Sequence, residues 1–434
     1  MNKKLALTIL IAASGLAAGL FVFGGNSQAN RATQTAARTS NTNVSASLGE
    51  TVIQWRGTDR SGIFHEPNLR TSWNNNQPQL LWHFDGLGDG HSSPAIANGK
   101  IFVTGMTDGR GILYVFDQNG RLLNQVEYGA EWTRNYDGTR GTITPHNGKL
   151  YFISGQGVIY CFDQTTLNLI WSRNLLQEFN ASNIRWGIAE SPLIVGDKVI
   201  ATPGGEQHNV VALNKNTGEL IWSTPAMGDR SAYCSPIFIS SQSVPLIVQK
   251  TGRHVIGIHA DTGEMLWSHR NTNRWQIQAN SPLYSNGMIL VSSNYGAGAT
   301  MLRLTNGGRG VEEVWTLSAL NNSIGGLVKV GNYIFASTGG RNRTWFCVNW
   351  YTGEIMWQER GLDRGVVIAN DGMLYMYTQR GEMALARATP EGFNIVGRFP
   401  ITLGTDRHYA HPILYNGMLL VRRGNTLMAF DVRE

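Results

Sequence analysis

A seven-residue segment recurs along the chain and constrains the fold more than any other feature. TGELIWS at 217–223 is repeated as TGEMLWS at 262–268 and as TGEIMWQ at 352–358. The tryptophans that mark these and related segments lie 51, 45, 48 and 42 residues apart, at Trp171, Trp222, Trp267, Trp315 and Trp357. A period of about 45 residues indicates a chain built from similar supersecondary units.

A second signature, a short apolar strand followed by a turn, begins each unit. It occurs eight times, as SSPAIANG (92–99), GTITPHNG (141–148), ESPLIVGD (190–197), CSPIFISS (234–241), NSPLYSNG (280–287), GGLVKVGN (325–332), GVVIANDG (365–372) and AHPILYNG (410–417). Several of these turns are Asn-Gly or Asp-Gly, which accept positive φ at both central positions of a type I′ hairpin. Two more apolar strands follow, and a fourth strand ends each unit, so a four-stranded antiparallel meander is predicted.

Such units cannot bury both faces alone, so they are expected to stack around an axis as the blades of a β-propeller. The last unit lacks its fourth strand, whereas PQLLWHF at 78–84 is a fourth strand with no unit before it. We therefore predict an all-β, eight-bladed propeller in which the N-terminal strand completes the last blade. Seven blades is the alternative, if the sixth or seventh unit is not a full blade. The repeated tryptophans are predicted to be structural and to fill the gaps between blades.

Residues 1–29 have the features of an export signal. Lys3 and Lys4 precede 19 uncharged residues at 5–23, and a small-residue cleavage site ends the segment. An uncleaved membrane anchor is the alternative, because 19 apolar residues can just span a bilayer. Export predicts a periplasmic or cell-envelope protein that contacts the membrane only if this segment is retained.

The remaining chain divides into two parts. Residues 30–50 are polar and without periodicity, which predicts a flexible lead-in. Residues 51–434 form the predicted propeller, with 53–64 expected on its outside. The formal net charge is +6, and loss of the signal's two lysines leaves +4, which is too small and too scattered to indicate nucleic-acid binding. A monomer is expected. The three cysteines are an odd number and include no adjacent pair.

Several segments resemble a known family. The opening WRGTDRSG, then LLWHFDGLGDGHSSPAIANGKIFVTG and WGIAESPLIVGDKVIATPGG, are similar to exported proteins with pyrroloquinoline-quinone (PQQ)-like β-propeller repeats. The resemblance covers about residues 53–434 and implies the quinoprotein-dehydrogenase-like fold. That architecture also carries an outer-membrane-protein assembly factor, so fold alone does not give the function.

The resemblance implies PQQ and calcium as candidate cofactors, although neither is fixed by the residues alone. Counting two residues before the proline of each leading strand gives the position expected to face the channel, and Glu190 and Asn280 occupy it as candidate calcium ligands. Trp186 could stack on a flat cofactor, with Arg140 and Arg364 beside it. No Asp holds that position as a general base, and a Cys-Cys pair is missing, so no catalytic residue is assigned. The alternative for Glu190 is a hydrogen-bonded carboxylate in the wall.

Charged residues and histidines are concentrated at the predicted mouth of the channel. Ten arginines and no lysine occupy the connections into the leading strands, and Asp-Arg occurs there three times. Two interpretations are open: ion pairs between loops, or a funnel that grips an anionic ligand through the arginine forks. A metal bound by histidines is a weaker alternative. The mouth residues are His91, Asp229, Arg230, Asp363, Asp406, Arg407, His408 and His411.

The sequence therefore favours an exported binding or assembly module of the bacterial cell envelope. Its expected partner is an envelope protein or an anionic small molecule. A PQQ-dependent dehydrogenase of alcohols or sugars is the first alternative, and a hydrolase that uses channel carboxylates is the second.

Overall fold

The computed structural model describes residues 52–339 and 343–434. The predicted signal at 1–29 and lead-in at 30–50 lie outside the described residues. Within the described ranges, no helix is both long and apolar enough to cross a membrane.

Strands make up nearly all the regular structure of the described part. One short α-helix lies at Leu175–Glu178 and one turn of 3₁₀-helix at Asn306–Gly308. The strands are, in chain order, β1 (Ile63–Phe64), β2 (Gln79–Phe84), β3 (Ala95–Ala97), β4 (Lys100–Thr107), β5 (Arg110–Phe116), β6 (Leu122–Ala130), β7 (Thr144–His146), β8 (Lys149–Ile153), β9 (Val158–Asp163), β10 (Leu169–Asn174), β11 (Leu193–Val195), β12 (Lys198–Ala201), β13 (His208–Asn214), β14 (Leu220–Pro225), β15 (Ile237–Ile239), β16 (Leu246–Lys250), β17 (His254–His259), β18 (Met265–Arg270), β19 (Leu283–Ser285), β20 (Met288–Ser293), β21 (Gly298–Thr305), β22 (Gly310–Leu317), β23 (Val328–Val330), β24 (Tyr333–Ser337), β25 (Trp345–Asn349), β26 (Ile355–Glu359), β27 (Gly365–Asn370), β28 (Met373–Thr378), β29 (Glu382–Arg387), β30 (Ile395–Pro400), β31 (Ile413–Tyr415), β32 (Met418–Arg423) and β33 (Thr426–Asp431).

The strands form eight sheets, each with four antiparallel strands, which are the blades of a propeller, and the short β1 adds a parallel fifth strand to one of them. Blades 1 to 7 each take four consecutive strands, starting with β3–β6 as blade 1 and ending with β27–β30 as blade 7. Blade 8 has the order β2-β33-β32-β31, with Gln79 opposite Asp431 and His83 opposite Met428. The N-terminal strand thus completes the last blade, which confirms the predicted closure and the count of eight and excludes seven.

The turns between the first two strands of a blade have the predicted backbone conformation. Asn98 and Gly99 have φ of 50° and 69°, and Asn286 and Gly287 have φ of 49° and 77°. Positive φ at both positions is the requirement of a type I′ hairpin, which matches the right-handed twist of the strands. The leading strands of neighbouring blades contact one another, as β3 does with β7 and β11 with β15, so the leading strands are the innermost strands of the blades.

The repeated tryptophans each reach into the next blade. The indole N–H of Trp171 donates to Lys215 O at 3.1 Å, and that of Trp222 donates to Ala260 O at 3.1 Å. Trp267, Trp315 and Trp357 bond in the same way to Gly308 O, Trp350 O and Thr389 O. A Cβ at Gly263, the glycine of the next Thr-Gly turn, would lie 2.7 Å from the Trp222 ring. The glycine therefore serves both the positive-φ turn and the close approach of the indole.

A belt of hydroxyl groups joins the innermost strands around the channel. These hydroxyl groups belong to the residue just before the leading-strand proline, or to its equivalent. Each hydroxyl oxygen accepts a hydrogen bond from the backbone N–H of the residue at the same position in the preceding blade. Five consecutive links of 2.9–3.2 Å run from His411 to Ser93, Thr142, Ser191, Ser235 and Ser281. Blades 6 and 7 carry Gly326 and Val366 at this position, so the hydroxyl links are absent there.

Residues 52–64 cross the channel, and the expectation that 53–64 pack on the outside is wrong. Strand β1 pairs in parallel with β27, the innermost strand of blade 7. The buried guanidinium of Arg60 donates to Ser191 O at 3.0 Å and to Pro236 O at 3.1 Å, in blades 3 and 4. Arg56 is also buried and bonds to Leu327 O in blade 6. Because innermost strands present several carbonyl groups towards the axis, two arginines can bind to three blades at once. We call residues 52–64 the plug.

Candidate functional site

The channel contains a cavity of about 440 Å³ above the plug. Its wall includes one residue from each blade, always three residues before the leading-strand proline or its equivalent. We call these eight residues the wall ring: His91, Arg140, Ala189, Tyr233, Ala279, Ile324, Arg364 and Tyr409. The cavity volume lies in the range of small-ligand and side-chain binding pockets.

The sequence predicted that the residue two positions before the leading-strand proline faces the channel. That position lies one residue after the wall ring. Its occupants, which include Glu190 and Asn280, are not among the residues that line the cavity. Glu190 is fully buried and Asn280 is 1% exposed. Because side chains alternate along extended backbone, a shift of one residue exchanges the channel side for the side that faces the neighbouring blade. Glu190 and Asn280 therefore do not line the cavity, although the sequence predicted that their position faces the channel.

Aromatic side chains dominate the remainder of the cavity. Trp55 of the plug forms its floor, and the Trp55 and His411 rings meet edge-on with centroids 4.5 Å apart. Trp186 lies in the wall, 5.6 Å from the Tyr233 ring and 6.2 Å from the Tyr136 ring between centroids. The predicted stacking residue Trp186 is thus at the cavity. The sequence did not predict that Trp55 and the tyrosines line the cavity. Counting three residues before each leading-strand proline, instead of two, would have identified Tyr233.

Two arginines line the cavity. Arg140 donates to Asn135 O at 2.9 Å and also to the carbonyls of Tyr136 and Gly138, and its guanidinium lies 5.5 Å from the centroid of Trp132. Burial lowers the pKa of Arg140 to about 10, so it is a cation at neutral pH.

Arg364 lies on the opposite part of the wall ring, where its Nε donates to Gln379 Oε1 at 2.6 Å. Among the described residues that line the cavity there is no Asp or Glu. The site therefore combines two positive charges with aromatic surface, a composition that suits an anionic ligand with apolar parts.

Glu190 forms part of a buried polar cluster. Its Oε2 accepts from Gln249 Nε2 at 3.2 Å, and Gln249 Nε2 also donates to Thr202 Oγ1 at 2.6 Å. Burial raises the pKa of Glu190 to about 8, while Thr202, Arg60 and Gln249 oppose the rise. The carboxyl group is therefore largely protonated at neutral pH.

The Asn280 amide is held in one orientation. Its Nδ2 donates to Ser292 O at 3.2 Å and to Asn322 O at 3.1 Å, so Oδ1 points the other way. Calcium takes six to eight oxygen ligands and favours ionised carboxylates. One carboxyl group and one amide oxygen are too few for a calcium ion, and the described residues include no group of three His, Cys, Asp or Glu that could hold a metal. No redox step through a quinone is derived from these residues.

The three histidines of the predicted mouth have separate surroundings. His91 lines the cavity, and its Nε2 lies 3.5 Å from Asp406 Oδ2. His411 lies at the cavity floor. His408 is not at the cavity, because its Nδ1 bonds to the buried Tyr377 hydroxyl at 2.6 Å. The structure does not bring the three rings together.

The Asp-Arg pairs also divide between structural and exposed positions. Asp229 is buried and pairs with Arg253 at 2.6 Å and with His254 at 2.8 Å, whereas Arg230 is exposed. Asp363 pairs with Arg343 and Arg380 at 3.2 and 3.5 Å.

Asp406 and Arg407 line an outer pocket next to the cavity, together with Asp89, Asp137 and Arg185. Ion pairing between loops and a polar funnel are therefore both present, at different places on the mouth.

The family model described as "Outer membrane protein assembly factor BamB" matches residues 69–187 and 155–391. No curated protein matches the chain at a significant level. The crystal structure of BamB from Moraxella catarrhalis has a TM-score of 0.59 at 14% identity and covers 82% of this chain and 99% of that one.

Other solved structures share the fold. Quinohemoprotein alcohol dehydrogenase from Comamonas testosteroni has a TM-score of 0.62 at 12% identity and covers 88% of this chain and 80% of that one. The computationally designed Ika8 protein has a TM-score of 0.56 at 12% identity and covers 82% of this chain and all of that one (100%). At such identities the likeness shows the fold and does not choose between binding and catalysis. Because the family model matches well over half of the chain, the protein belongs to the BamB family of PQQ-like β-propellers.

Proposed function

We propose that the protein is a binding module of the cell envelope whose channel cavity receives an acidic segment of a partner protein. The observation that carries the proposal is the composition of the cavity: two arginines and a largely aromatic wall, with no carboxylate among the described lining residues. Membership of a family described as an outer-membrane-protein assembly factor supports a protein partner and an envelope location.

The physical argument concerns both charge and shape. A guanidinium offers a planar fork of donors that binds a carboxylate with two hydrogen bonds. Arg140 uses several donors on its own loop, so it supplies mainly fixed positive charge. Arg364, which donates to Gln379, adds a second positive charge to the wall. Aromatic side chains contribute apolar contact area at a small entropy cost, which suits the non-charged parts of a peptide.

The plug also favours binding of a segment end or a short loop. Arg56, Arg60 and Trp55 close the channel on one side, so the cavity is open only towards the mouth. A ligand therefore enters and leaves by the same opening, at the mouth.

A peptide titration tests the proposal. The probes are short fluorescent peptides of Glu, Tyr and Ala, each with a neutral twin in which Met replaces every Glu. Fluorescence anisotropy should show saturable binding of the acidic peptides, at least about tenfold tighter than their twins. Binding should also weaken between about 0.05 and 0.2 M salt, because exposed charges are screened over about 10 Å. Equal affinity for acidic and neutral peptides would contradict the proposal, and equally tight binding of free glutamate would assign the cavity to small anions instead.

The quinoprotein alternative predicts a different result. PQQ added with CaCl₂ would bind with a shifted absorbance, and Glu190→Gln would remove that binding. The cavity proposal predicts that Glu190→Gln leaves acidic-peptide binding unchanged, because Glu190 does not line the cavity. For the hydrolase alternative, the described lining residues supply no carboxylate that could act as acid or base inside the cavity.

A further inference from the structure

Beside Gly325, at the floor of the cavity, lies a small space bordered by polar atoms of two other blades. A Cβ built on Gly325 would lie 3.4 Å from Ala279 O, 3.4 Å from His411 Nε2 and 3.8 Å from Asn280 Oδ1. Gly325 has φ of +83°, which other residues rarely adopt. The missing side chain therefore keeps open a space towards which three hydrogen-bonding atoms converge.

The oxygen of Asn280 is oriented towards this space by its own nitrogen. Because Nδ2 donates to Ser292 O and Asn322 O, exchanging the two ends of the amide would place an acceptor against two carbonyls. Oδ1 is buried and has no hydrogen-bond partner among the described residues. An unsatisfied buried acceptor costs about 1–3 kcal/mol, so a ligand whose N–H or O–H group reaches Oδ1 binds more tightly.

His411 contributes a second unsatisfied side chain. The residue is 2% exposed, and neither ring nitrogen makes a well-formed hydrogen bond in the described part of the chain, although the Ile324 backbone lies close enough to act on its pKa. Burial lowers the pKa of His411 well below its usual value, Arg56 lowers it further, and the Ile324 backbone opposes the shift. The ring is therefore neutral, with one nitrogen that donates and one that accepts.

The charges around the floor argue against a cation. Arg56 and Arg60 of the plug approach from below, and Arg140 and Arg364 lie above in the cavity wall. The buried Lys250 adds a further cation, because its Nζ donates to Ser292 O, the same carbonyl that accepts from Asn280 Nδ2. Ala279, His411 and Ile324, the residue before Gly325, line the cavity, so the space beside Gly325 lies at its edge. A neutral group that both donates and accepts matches two acceptors and one neutral imidazole.

We propose that the space beside Gly325 is a subsite for a primary carboxamide, such as the side chain of Asn or Gln in the segment that enters the cavity. The two N–H groups of a carboxamide can reach Asn280 Oδ1 and Ala279 O, and its oxygen can accept from the imidazole of His411. This inference rests on the proposed function for the peptide that delivers the group, and it adds that the acidic segment carries an amide residue at its inner end.

The test uses a series of the acidic peptides described above. Each peptide carries a single Gln at a different position, and its twin carries Met, which has a similar shape, at the same position. One Gln peptide should bind the native chain about tenfold more tightly than its Met twin. His411→Phe, which keeps the ring contact with Trp55, and Gly325→Ala, which fills the space, should each bring the two affinities together. Both variants should still prefer acidic to neutral peptides, because Arg140 and Arg364 are unchanged. Equal affinity of every Gln and Met pair for the native chain, with acid preference intact, would overturn the subsite and leave the space to ordered water.

A second measurement separates this inference from the proposed function. Acetamide is titrated into protein that carries ¹⁵N-labelled histidine, and the His411 ring signals are followed by NMR. The native chain should show a saturable shift that Gly325→Ala abolishes, whether or not acidic peptides bind. If peptides show no acid preference but the acetamide shift is present, the proposed function fails and the subsite stands. If acetamide leaves the His411 signals unmoved, the subsite is wrong.

Discussion

The indole of Trp55 packs edge-on against the imidazole of His411, with 4.5 Å between ring centroids and 61° between ring planes. Trp55 precedes the first blade and His411 begins the last one, so the contact joins the two ends of the propeller at the floor of its cavity. The plug, which carries Trp55, also brings Arg60 to carbonyl groups of blades 3 and 4. The plug is therefore part of the fold and of the site at once.

Replacement of Arg60 should destabilise the propeller strongly. In Arg60→Met the carbonyls of Ser191 and Pro236 lose a buried donor, and each unsatisfied buried carbonyl costs about 1–3 kcal/mol. We expect the free energy of unfolding to fall by about 2–5 kcal/mol, measured by urea denaturation. The control is Arg303→Met on an outer strand, where the exposed pair with Glu312 contributes at most about 1 kcal/mol. Equal effects of the two substitutions would show that the plug does not hold the blades together.

The contribution of the contact between Trp222 and Gly263 to stability can be measured separately from the strain of the positive-φ turn. Gly263 and Gly287 have φ of 76° and 77°, but a Cβ on Gly263 would lie 2.7 Å from the Trp222 ring, whereas no described atom lies within 4 Å of one on Gly287. Gly287→Ala should therefore cost only the strain of positive φ, about 1–2 kcal/mol. Gly263→Ala should cost about 1–3 kcal/mol more, because the indole must move. Thermal and urea unfolding of both variants measures the difference. Similar losses in both variants would mean that Trp222 does not depend on the glycine.

The buried carboxyl group of Glu190 should make stability depend on pH. Its folded-state pKa of about 8 lies above the unfolded value of 4.5, so the folded state binds more protons between these values. Stability from this group is complete below about pH 4.5 and is lost as the pH rises through 8.

In Glu190→Gln this loss should be absent, so the native chain should lose about 1–3 kcal/mol more than the variant between about pH 5 and pH 9. Urea denaturation across this range provides the comparison, since other titrating groups are common to both proteins. A parallel pH dependence in the two proteins would show that Glu190 is ionised in the folded state, as a metal ligand would be.

The blade count was predictable because the same physical requirements recur in every unit. Asn98-Gly99 and its counterparts must adopt positive φ, and Trp222 and its counterparts must fill a gap of constant shape. The belt of Ser93, Thr142 and their equivalents could also have been predicted from the sequence, since Ser or Thr precedes the leading-strand proline, or its equivalent, in five successive blades.

The site was harder to predict for two physical reasons. Strand alternation gives two possible inward positions, and the polar types at Glu190 and Asn280 favoured the buried one, whereas Ala189 and Ala279 are the residues that face the cavity. The plug carries no repeat, and its position depends on contacts between Arg60 and carbonyls more than 100 residues away. Such contacts leave no local pattern in the sequence.

The most direct test of the account is the affinity of the acidic peptides for the Arg364→Gln variant. Arg364 lies in the wall ring, so loss of its charge should weaken binding of the acidic peptides by about tenfold or more and leave their Met twins unaffected. Arg303→Gln makes the same change in net charge on an outer strand and should have little effect. An unchanged dissociation constant in Arg364→Gln, or an equal loss in Arg303→Gln, would contradict the claim that the channel cavity binds an acidic segment.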